Sequence, residues 1–131
     1  MAKVIDNTSI NILLIDDDKD ILYTFNTVLN KQGYTVKAFS NPTEALEHVT
    51  RKGPYFYDLI IMDIRMPGIN GIQLYYRFKA IDPHAKILLV SALDIVPELV
   101  DSMPEININD IVKKPIQAED FILKVKSKIS Y

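Results

Sequence analysis

The sequence contains no cysteine and only four glycines among its 131 residues. The absence of cysteine excludes disulfide bonds, thiolate metal sites and thiol nucleophiles. No glycine begins a loop that leads into Lys-Ser or Lys-Thr, which argues against a P-loop nucleotide-binding enzyme. Sites built on thiols are therefore excluded, and a phosphate-binding loop of this kind is disfavoured.

Long hydrophobic runs and a strong excess of one charge are also lacking. No apolar run approaches the length of a membrane span, and residues 1–9 have no hydrophobic stretch typical of a signal peptide. The formal net charge of −2 gives no reason to expect binding to nucleic acid or to a membrane through bulk charge. We therefore predict a cytoplasmic protein with no direct nucleic-acid partner and no membrane partner.

The composition is that of a soluble globular chain, with 48% apolar and 24% charged residues. A chain of 131 residues is long enough for one domain with a sizeable core and too short for two ordinary domains. Because a final helical pattern runs almost to Tyr131, we predict a single domain over residues 1–131, with its core between residues 10 and 130 and no effector domain.

Short apolar runs alternate with amphipathic segments along the chain. The apolar runs predict strands at Ile12–Ile15, Tyr34–Phe39, Leu59–Met62, Ile87–Val90 and Ile111–Val112. The amphipathic segments predict helices from Asp18 or a neighbour to Gly33, from Pro42 past Val49, from Asn70-Gly71 to Asp82-Pro83, from near Pro97 to Pro104, and from Ala118 to Ser130.

Five strands that alternate with five helices predict a doubly wound α/β domain with a parallel sheet. Right-handed crossovers place helices on both faces of such a sheet. In open sheets of this kind, ligands bind at the carboxyl ends of the strands.

Carboxylates follow two of the predicted strands directly. Asp16 and Asp17 follow the first strand, and Asp63 follows the third. If the strand order is 2-1-3-4-5, as in flavodoxin-like sheets, these two strands are neighbours and the carboxylates face each other. Three carboxylates in one pocket repel one another, and a hard divalent cation such as Mg²⁺ relieves that repulsion.

A hydroxyl and an amine follow two further strands. Ser91 comes after the fourth strand and Lys114 after the fifth. A lysine supplies positive charge and a serine supplies a hydrogen-bond donor, and both suit a tetrahedral anionic group. Together with the acidic pocket they predict a phosphoryl-transfer site in which a carboxylate is the nucleophile.

Five segments in this order resemble the receiver domain of two-component response regulators, in particular the chemotaxis-type single-domain receivers. The segments are Ile15–Asp18, Asp63–Gly68, Asn70–Gly71, Val90–Ala92 and Lys114–Pro115. The resemblance covers nearly everything from Ile12 to Ile129. It implies the five-stranded sheet order 2-1-3-4-5 and a phosphoacceptor switch, which catalyses only its own phosphorylation and dephosphorylation.

The resemblance also implies a role for each residue of the site. Asp63 would accept a phosphoryl group from a phosphohistidine on a histidine kinase or a histidine phosphotransfer protein. Lys114 would pair with the phosphoryl oxygens, and Ser91 would move to donate a hydrogen bond to them, which shifts the loop after the fourth strand. The implied Mg²⁺ ligands are Asp16 (mostly through water), Asp17, Asp63 and the backbone carbonyl of Arg65. A cis Lys114–Pro115 peptide is implied as well.

The output of such a switch would pass to a downstream protein that the sequence does not identify. The resemblance allows either a monomer or a dimer that forms on phosphorylation. The chain departs from the family pattern at Ile111, where many receivers have an aromatic residue that swings inward on activation. Residues 103–110 also replace the usual small-residue turn, so we expect an unusual output surface.

Two alternatives of other classes stay open on the residues alone. A degenerate receiver would act only as an interaction module. The intact set of Asp16, Asp17, Asp63, Ser91 and Lys114 argues against it, while Ile111 and the altered fourth helix keep it open. A metal-dependent hydrolase with an aspartate nucleophile usually carries a second aspartate two residues later, where this chain has Arg65. His48 and His84 show no metal-ligand pattern and are predicted to be surface residues.

Overall fold

A computed structural model describes residues 10–66, 68–92, 101, 103 and 105–130 of the chain. The strands are β1 (Asn11–Ile15), β2 (Thr35–Phe39), β3 (Leu59–Asp63), β4 (Ile87–Ala92) and β5 (Ile111–Lys114). The helices in this part of the chain are α1 (Lys19–Lys31), α2 (Pro42–Lys52), α3 (Gly71–Ile81) and α4 (Ala118–Ser130), and a short 3₁₀ helix covers Ile108–Asp110.

The five strands form one parallel sheet in the order β2-β1-β3-β4-β5. The predicted α/β fold and strand order are therefore confirmed, with strand bounds that move by one or two residues. Four of the five predicted helices are present. The remaining one, predicted from near Pro97 to Pro104, falls on a stretch of which only Asp101 and Met103 are described.

Side-chain alternation along the strands divides the core between the two faces of the sheet. Leu13 and Ile15 pack on the face that α2 and α3 cover, while Ile12 and Leu14 pack on the face that α1 and α4 cover. All four are at most 1% exposed. Full burial of one such side chain is worth about 1.5–3 kcal/mol, so the central strands are firmly held.

The helices begin where the sequence places capping residues. The side chain of Asp18 accepts hydrogen bonds from the backbone N–H groups of Asp20 and Ile21 and caps α1. Asn41 caps α2 with Pro42 in the first turn, and Asn70 caps α3. These caps fix where the chain turns after β1, β2 and β3, at the carboxyl ends of the strands, where the acidic residues lie.

No helix in the described part of the chain combines the length and the apolar character that crossing a membrane requires.

Candidate functional site

The carboxyl ends of β1 and β3 bring three carboxylates together. Ile15 lies opposite Met62 in the sheet, so Asp16 and Asp63 come next to each other just beyond that pair. Asp16 is 1% exposed and Asp63 is 7% exposed, whereas Asp17 is exposed. Carboxylate oxygens from Asp16, Asp17 and Asp63 lie within 4.8 Å of one another. The acidic pocket predicted from the sequence is therefore present.

Backbone groups orient the two buried carboxylates. Oδ1 of Asp16 accepts a hydrogen bond from the N–H of Asp18 at 2.9 Å, and Oδ1 of Asp63 accepts one from the N–H of Arg65 at 3.1 Å. The N–H of Asp16 donates to the carbonyl of Phe39 at 3.2 Å, which ties the start of the loop to β2. The backbone thus holds one oxygen of each carboxylate and leaves Oδ2 for other partners.

Lys114 supplies the partner of both Oδ2 atoms. Its Nζ lies 2.8 Å from Oδ2 of Asp63 and 3.3 Å from Oδ2 of Asp16. Lys114 is the last residue of β5, and the cis peptide expected between Lys114 and Pro115 is present. Sequence reasoning assigned Lys114 to phosphoryl oxygens and missed this pairing with two carboxylates.

Burial and charge decide the ionisation of this cluster. Burial raises the pKa of Asp16 to about 6, and the negative charge of Asp63 adds to the rise, while the Asp18 N–H and Lys114 oppose it. Burial works against the charge of Lys114, but its interactions with Asp63 and Asp16 outweigh burial and raise its pKa. Lys114 is therefore a stable cation that offsets only one of the three acidic groups.

Gly71 explains why a glycine follows Asn70 beside this site. Its N–H donates to the carbonyl of Ile64 at 2.9 Å. A Cβ at this position would overlap the Cα of Ile64 and would lie only 2.9 Å from the carbonyl oxygen of Asp63. The first turn of α3 thus presses on the backbone of Asp63 and Ile64, an approach that only glycine permits. The Asn-Gly pair is visible in the sequence, but the contact that requires it is not.

The groups of Ser91 and Arg65 that were predicted to act in the site make no contact with the acidic residues among the hydrogen bonds described. Ser91 is fully buried within β4, and its hydroxyl donates to the carbonyl of Ala92 at 3.1 Å. None of the hydrogen bonds among the described residues joins Ser91 to Asp63 or to Lys114. The Arg65 side chain is exposed, and its backbone N–H is the group that contacts Asp63. The roles predicted for the Ser91 hydroxyl and for the Arg65 carbonyl stay predictions.

The donor set fits a hard divalent cation. Oxygen ligands are what Mg²⁺ requires, and three carboxylates converge while one lysine balances part of their charge. The excess negative charge makes a cation the natural complement of this pocket.

The comparisons agree with this geometry. The family model described as the response regulator receiver domain matches residues 12–126. The uncharacterized transcriptional regulatory protein YkoG of Bacillus subtilis is 28% identical over 119 residues, which cover 91% of this chain and 50% of YkoG. Sporulation initiation phosphotransferase F of the same organism is 36% identical over 90 residues, which cover 66% of this chain and 70% of that protein.

Solved structures share the fold along almost the whole chain. A response regulator receiver domain protein from Clostridium thermocellum matches with a TM-score of 0.82 at 26% identity, covering 92% of this chain and 94% of that one. The chain spans half the length, or less, of several curated transcriptional regulators that it matches. The matched family, the sheet order and the acidic pocket agree: the chain belongs to the response regulator receiver domain family.

Proposed function

We propose that the chain is a cytoplasmic phosphoacceptor switch in a two-component phosphorelay, with Asp63 as the acceptor. The phosphodonor in this proposal is a phosphohistidine on a histidine kinase or a histidine phosphotransfer protein. The observation that carries the proposal is the position of Asp63, at the carboxyl end of a central strand beside Asp16 and Lys114. Membership of the receiver family and the similarity to a phosphotransferase support it.

Oδ2 of Asp63 is the oxygen that acts as the nucleophile. The Arg65 N–H donates to Oδ1, whereas Oδ2 accepts from the ammonium group of Lys114. In the transfer, a bond forms from Oδ2 to phosphorus and the bond from phosphorus to the histidine nitrogen breaks. The product is an acyl phosphate on Asp63, and the released imidazole takes up a proton.

Lys114 also stabilises the product, because its ion pair with Asp63 is replaced by one with the phosphoryl group. Its ammonium group already lies 2.8 Å from the oxygen that would be phosphorylated. After transfer, the same group reaches the new phosphoryl oxygens by a small side-chain movement. Because the pKa of Lys114 is raised, it carries its charge throughout the physiological range.

Mg²⁺ completes the site in this proposal, held by Asp16, Asp17, Asp63 and the backbone carbonyl of Arg65. When bound, Mg²⁺ supplies positive charge that neutralises the transferred phosphoryl group. Asp16 orients the pocket, because the Asp18 N–H fixes one of its oxygens.

The switch itself rests on Ser91 in this proposal. Its hydroxyl now donates to the Ala92 carbonyl. Donation to a phosphoryl oxygen on Asp63 requires the hydroxyl to leave this acceptor, which frees the chain at the end of β4. The loop after β4 then changes position and alters binding to a downstream protein, either as a monomer or through a phosphorylation-dependent dimer.

A second candidate function is a constitutive interaction module. It is favoured by the contacts that the described residues of the segment before β5 make with the rest of the domain. Met103 and Ile106 are buried, and Tyr76 of α3 donates a hydrogen bond to Glu105. Ile111 is also buried, so no aromatic ring is available there to gate the surface.

Intact mass after incubation with a small phosphodonor and Mg²⁺ separates the two functions. We expect a gain of one phosphoryl group that is lost with Asp63→Asn and with a chelator. An unchanged mass, under conditions that phosphorylate another receiver domain, would leave the interaction module as the function.

A further inference from the structure

A positively charged aromatic surface lies beside the free edge of the sheet. We define this edge patch as Lys37 and Phe39 of β2, Arg51 and Lys52 of α2, and Phe56 in the loop before β3. Nζ of Lys37 lies 5.6 Å from the ring centre of Phe39, and Nζ of Lys52 lies 4.9 Å from that of Phe56. Lys37, Arg51 and Lys52 are exposed, on a chain whose net charge is −2.

His48 shows that the cations of the edge patch converge. Its ring lies 5.1 Å from the ring of Phe39 and 5.7 Å from that of Tyr57, with Nε2 2.6 Å from the Tyr57 hydroxyl. Burial lowers the pKa of His48, and the charges of Lys52, Lys37 and Arg51 lower it further. The three cations of the edge patch thus act on the same ring, from β2 and from the end of α2.

None of these cations lies within 4.0 Å of a carboxylate of the described residues. Across the described ranges, the ion pairs involve only Lys114 and Lys128. The positive charge of the edge patch is thus available to an outside partner.

The backbone beside the edge patch offers a row of hydrogen-bonding groups. Among the described strands, β1 is the only neighbour of β2. The N–H of Thr35 and the carbonyl of Phe39 bond toward β1, to Ile10 and Asp16. Because successive residues of a strand point to opposite sides, the N–H and carbonyl groups of Val36 and Ala38 point toward the open side.

We propose that the edge patch binds an extended, acidic segment of a partner protein, which adds to the sheet as a strand beside β2. Main-chain bonds to Val36 and Ala38 align the segment. Its alternate side chains project toward the α2 face of the sheet, where Lys37, Arg51 and Lys52 lie. Carboxylates at every second position of the segment would lie on the same face of the sheet as these cations.

Other occupants fit the edge patch less well. Two copies of the chain that pair through β2 would bring two sets of cations together, and like charges across an edge repel. Single-stranded nucleic acid needs open aromatic faces for base stacking. Here Lys37 and His48 contact Phe39, while Lys52 and Tyr57 contact Phe56, so both rings already have partners. The same charges that exclude a second copy favour an acidic strand.

Selection from a random library of displayed peptides tests the proposal, and it does not depend on phosphorylation of Asp63. Each round is counter-selected against the triple variant Lys37→Glu, Arg51→Glu, Lys52→Glu. A control triple variant, Lys31→Glu, Lys113→Glu, Lys126→Glu, has the same net charge and leaves the edge patch intact. We expect acidic peptides to be enriched, with binding at least tenfold weaker to the edge-patch variant and unchanged for the control.

Amide NMR spectra of the wild-type protein with one selected peptide test the geometry. We expect the largest shifts at residues 36–39, and slower hydrogen exchange of the Val36 and Ala38 amides. The milder variant Lys37→Gln, Arg51→Gln, Lys52→Gln removes the charges without reversing them and should also weaken binding. It replaces the glutamate variant if that protein does not fold. The proposal would be overturned if no peptides, or only neutral or basic ones, were enriched, or if a selected peptide bound both triple variants equally. Tighter binding of single-stranded RNA at these residues would overturn it as well.

Discussion

Lys114 is the residue on which the acidic site depends most. It contacts Asp63 and Asp16 through one ammonium group, and it is the only cation found within 4.0 Å of a site carboxylate in the described part of the chain. Its two proposed tasks oppose each other: a lysine stabilises a transferred phosphoryl group but repels a bound cation. A substitution at this position separates the two effects.

Lys114→Met is predicted to change phosphorylation and metal binding in opposite directions. The rate of mass gain from a small phosphodonor should fall about 100-fold, because a charged donor to the phosphoryl oxygens is lost. The affinity for Mg²⁺ in a calorimetric titration should stay equal or increase, because a nearby positive charge is removed. Lys113→Met, at an exposed neighbour, should change neither quantity. Phosphorylation of Lys114→Met at the wild-type rate would contradict the role given to Lys114.

Single residues of the site could be predicted from the sequence where they directly follow an apolar run that forms a strand. Asp16 and Asp63 follow strands, and the structure places both as expected. The contact of Lys114 with both carboxylates depends on its side-chain conformation, which no sequence pattern specifies. His48 was predicted at the surface and is half-buried, because Tyr57, nine residues later in the chain, folds over it. Contacts of this kind arise from tertiary packing.

At the scale of elements, α3 and α2 each depend on one close contact. Gly71 lets the first turn of α3 approach the end of β3. His48 packs α2 against Phe39 of β2 and Tyr57 of the following loop. Each contact yields a prediction about stability.

Gly71→Ala is predicted to cost about 1–3 kcal/mol of unfolding free energy, because the new methyl group overlaps the backbone of Ile64. Gly53→Ala is the matched control: it has a positive φ of 81°, but no atom lies within 4 Å of the place its new methyl group would take. That variant should suffer only backbone strain, about 1–3 kcal/mol, because a φ of 81° with a ψ of −177° is a conformation that essentially only glycine adopts. Urea denaturation measures both losses. Gly71→Ala with unchanged or increased stability would refute the close contact, since alanine is otherwise the better helix former.

His48 is predicted to make the protein less stable as the pH falls below the ordinary histidine pKa of 6.5. The pKa of His48 is lowered in the folded state, so the unfolded chain binds the proton more readily and gains stability in acid. Urea denaturation in a chelator at pH 7.5 and at pH 5.5 tests this. Relative to wild type, His48→Gln should lose less stability, or gain more, between the two pH values. The raised pKa of Asp16 makes the folded protein more stable in acid, but this effect is the same in wild type and in His48→Gln and cancels when the two are compared. An equal change in stability of both proteins between the two pH values would contradict a lowered pKa of His48.

At the scale of the whole molecule, the fold followed from the alternation of apolar runs and amphipathic segments. That pattern predicts five strands and helices on both faces, and the sheet confirms it. The strand order came from the resemblance to receivers, since periodicity alone does not order strands. The 3₁₀ helix at Ile108–Asp110 was missed, and so was the ion pair between Lys128 and Asp110. Both involve the unusual segment before β5, which Lys128 of α4 contacts at Asp110. Met103 and Ile106 of this segment are buried, so tertiary packing and not a local turn pattern determines its course.

Mg²⁺ is predicted to stabilise the whole domain by binding the folded acidic pocket. At a concentration 100 times the dissociation constant, the gain in unfolding free energy should be about 2.7 kcal/mol. Asp17→Asn should lose most of this gain because it removes a proposed ligand. Asp20→Asn changes an exposed carboxylate in the first turn of α1 and should keep it. Thermal melts with and without Mg²⁺ measure the effect, and equal shifts in both variants would place the cation elsewhere.

The central claim is that Asp63 itself becomes the acyl phosphate, and reductive trapping tests it most directly. Borohydride reduces an acyl phosphate to an alcohol and leaves free carboxylates intact, so a phosphorylated aspartate is converted to homoserine. After treatment with a phosphodonor and Mg²⁺, peptide mass spectrometry should find homoserine at position 63 and unchanged aspartate at positions 16 and 17. Homoserine at either of those positions, or none at position 63 in protein that has gained a phosphoryl group, would contradict the account.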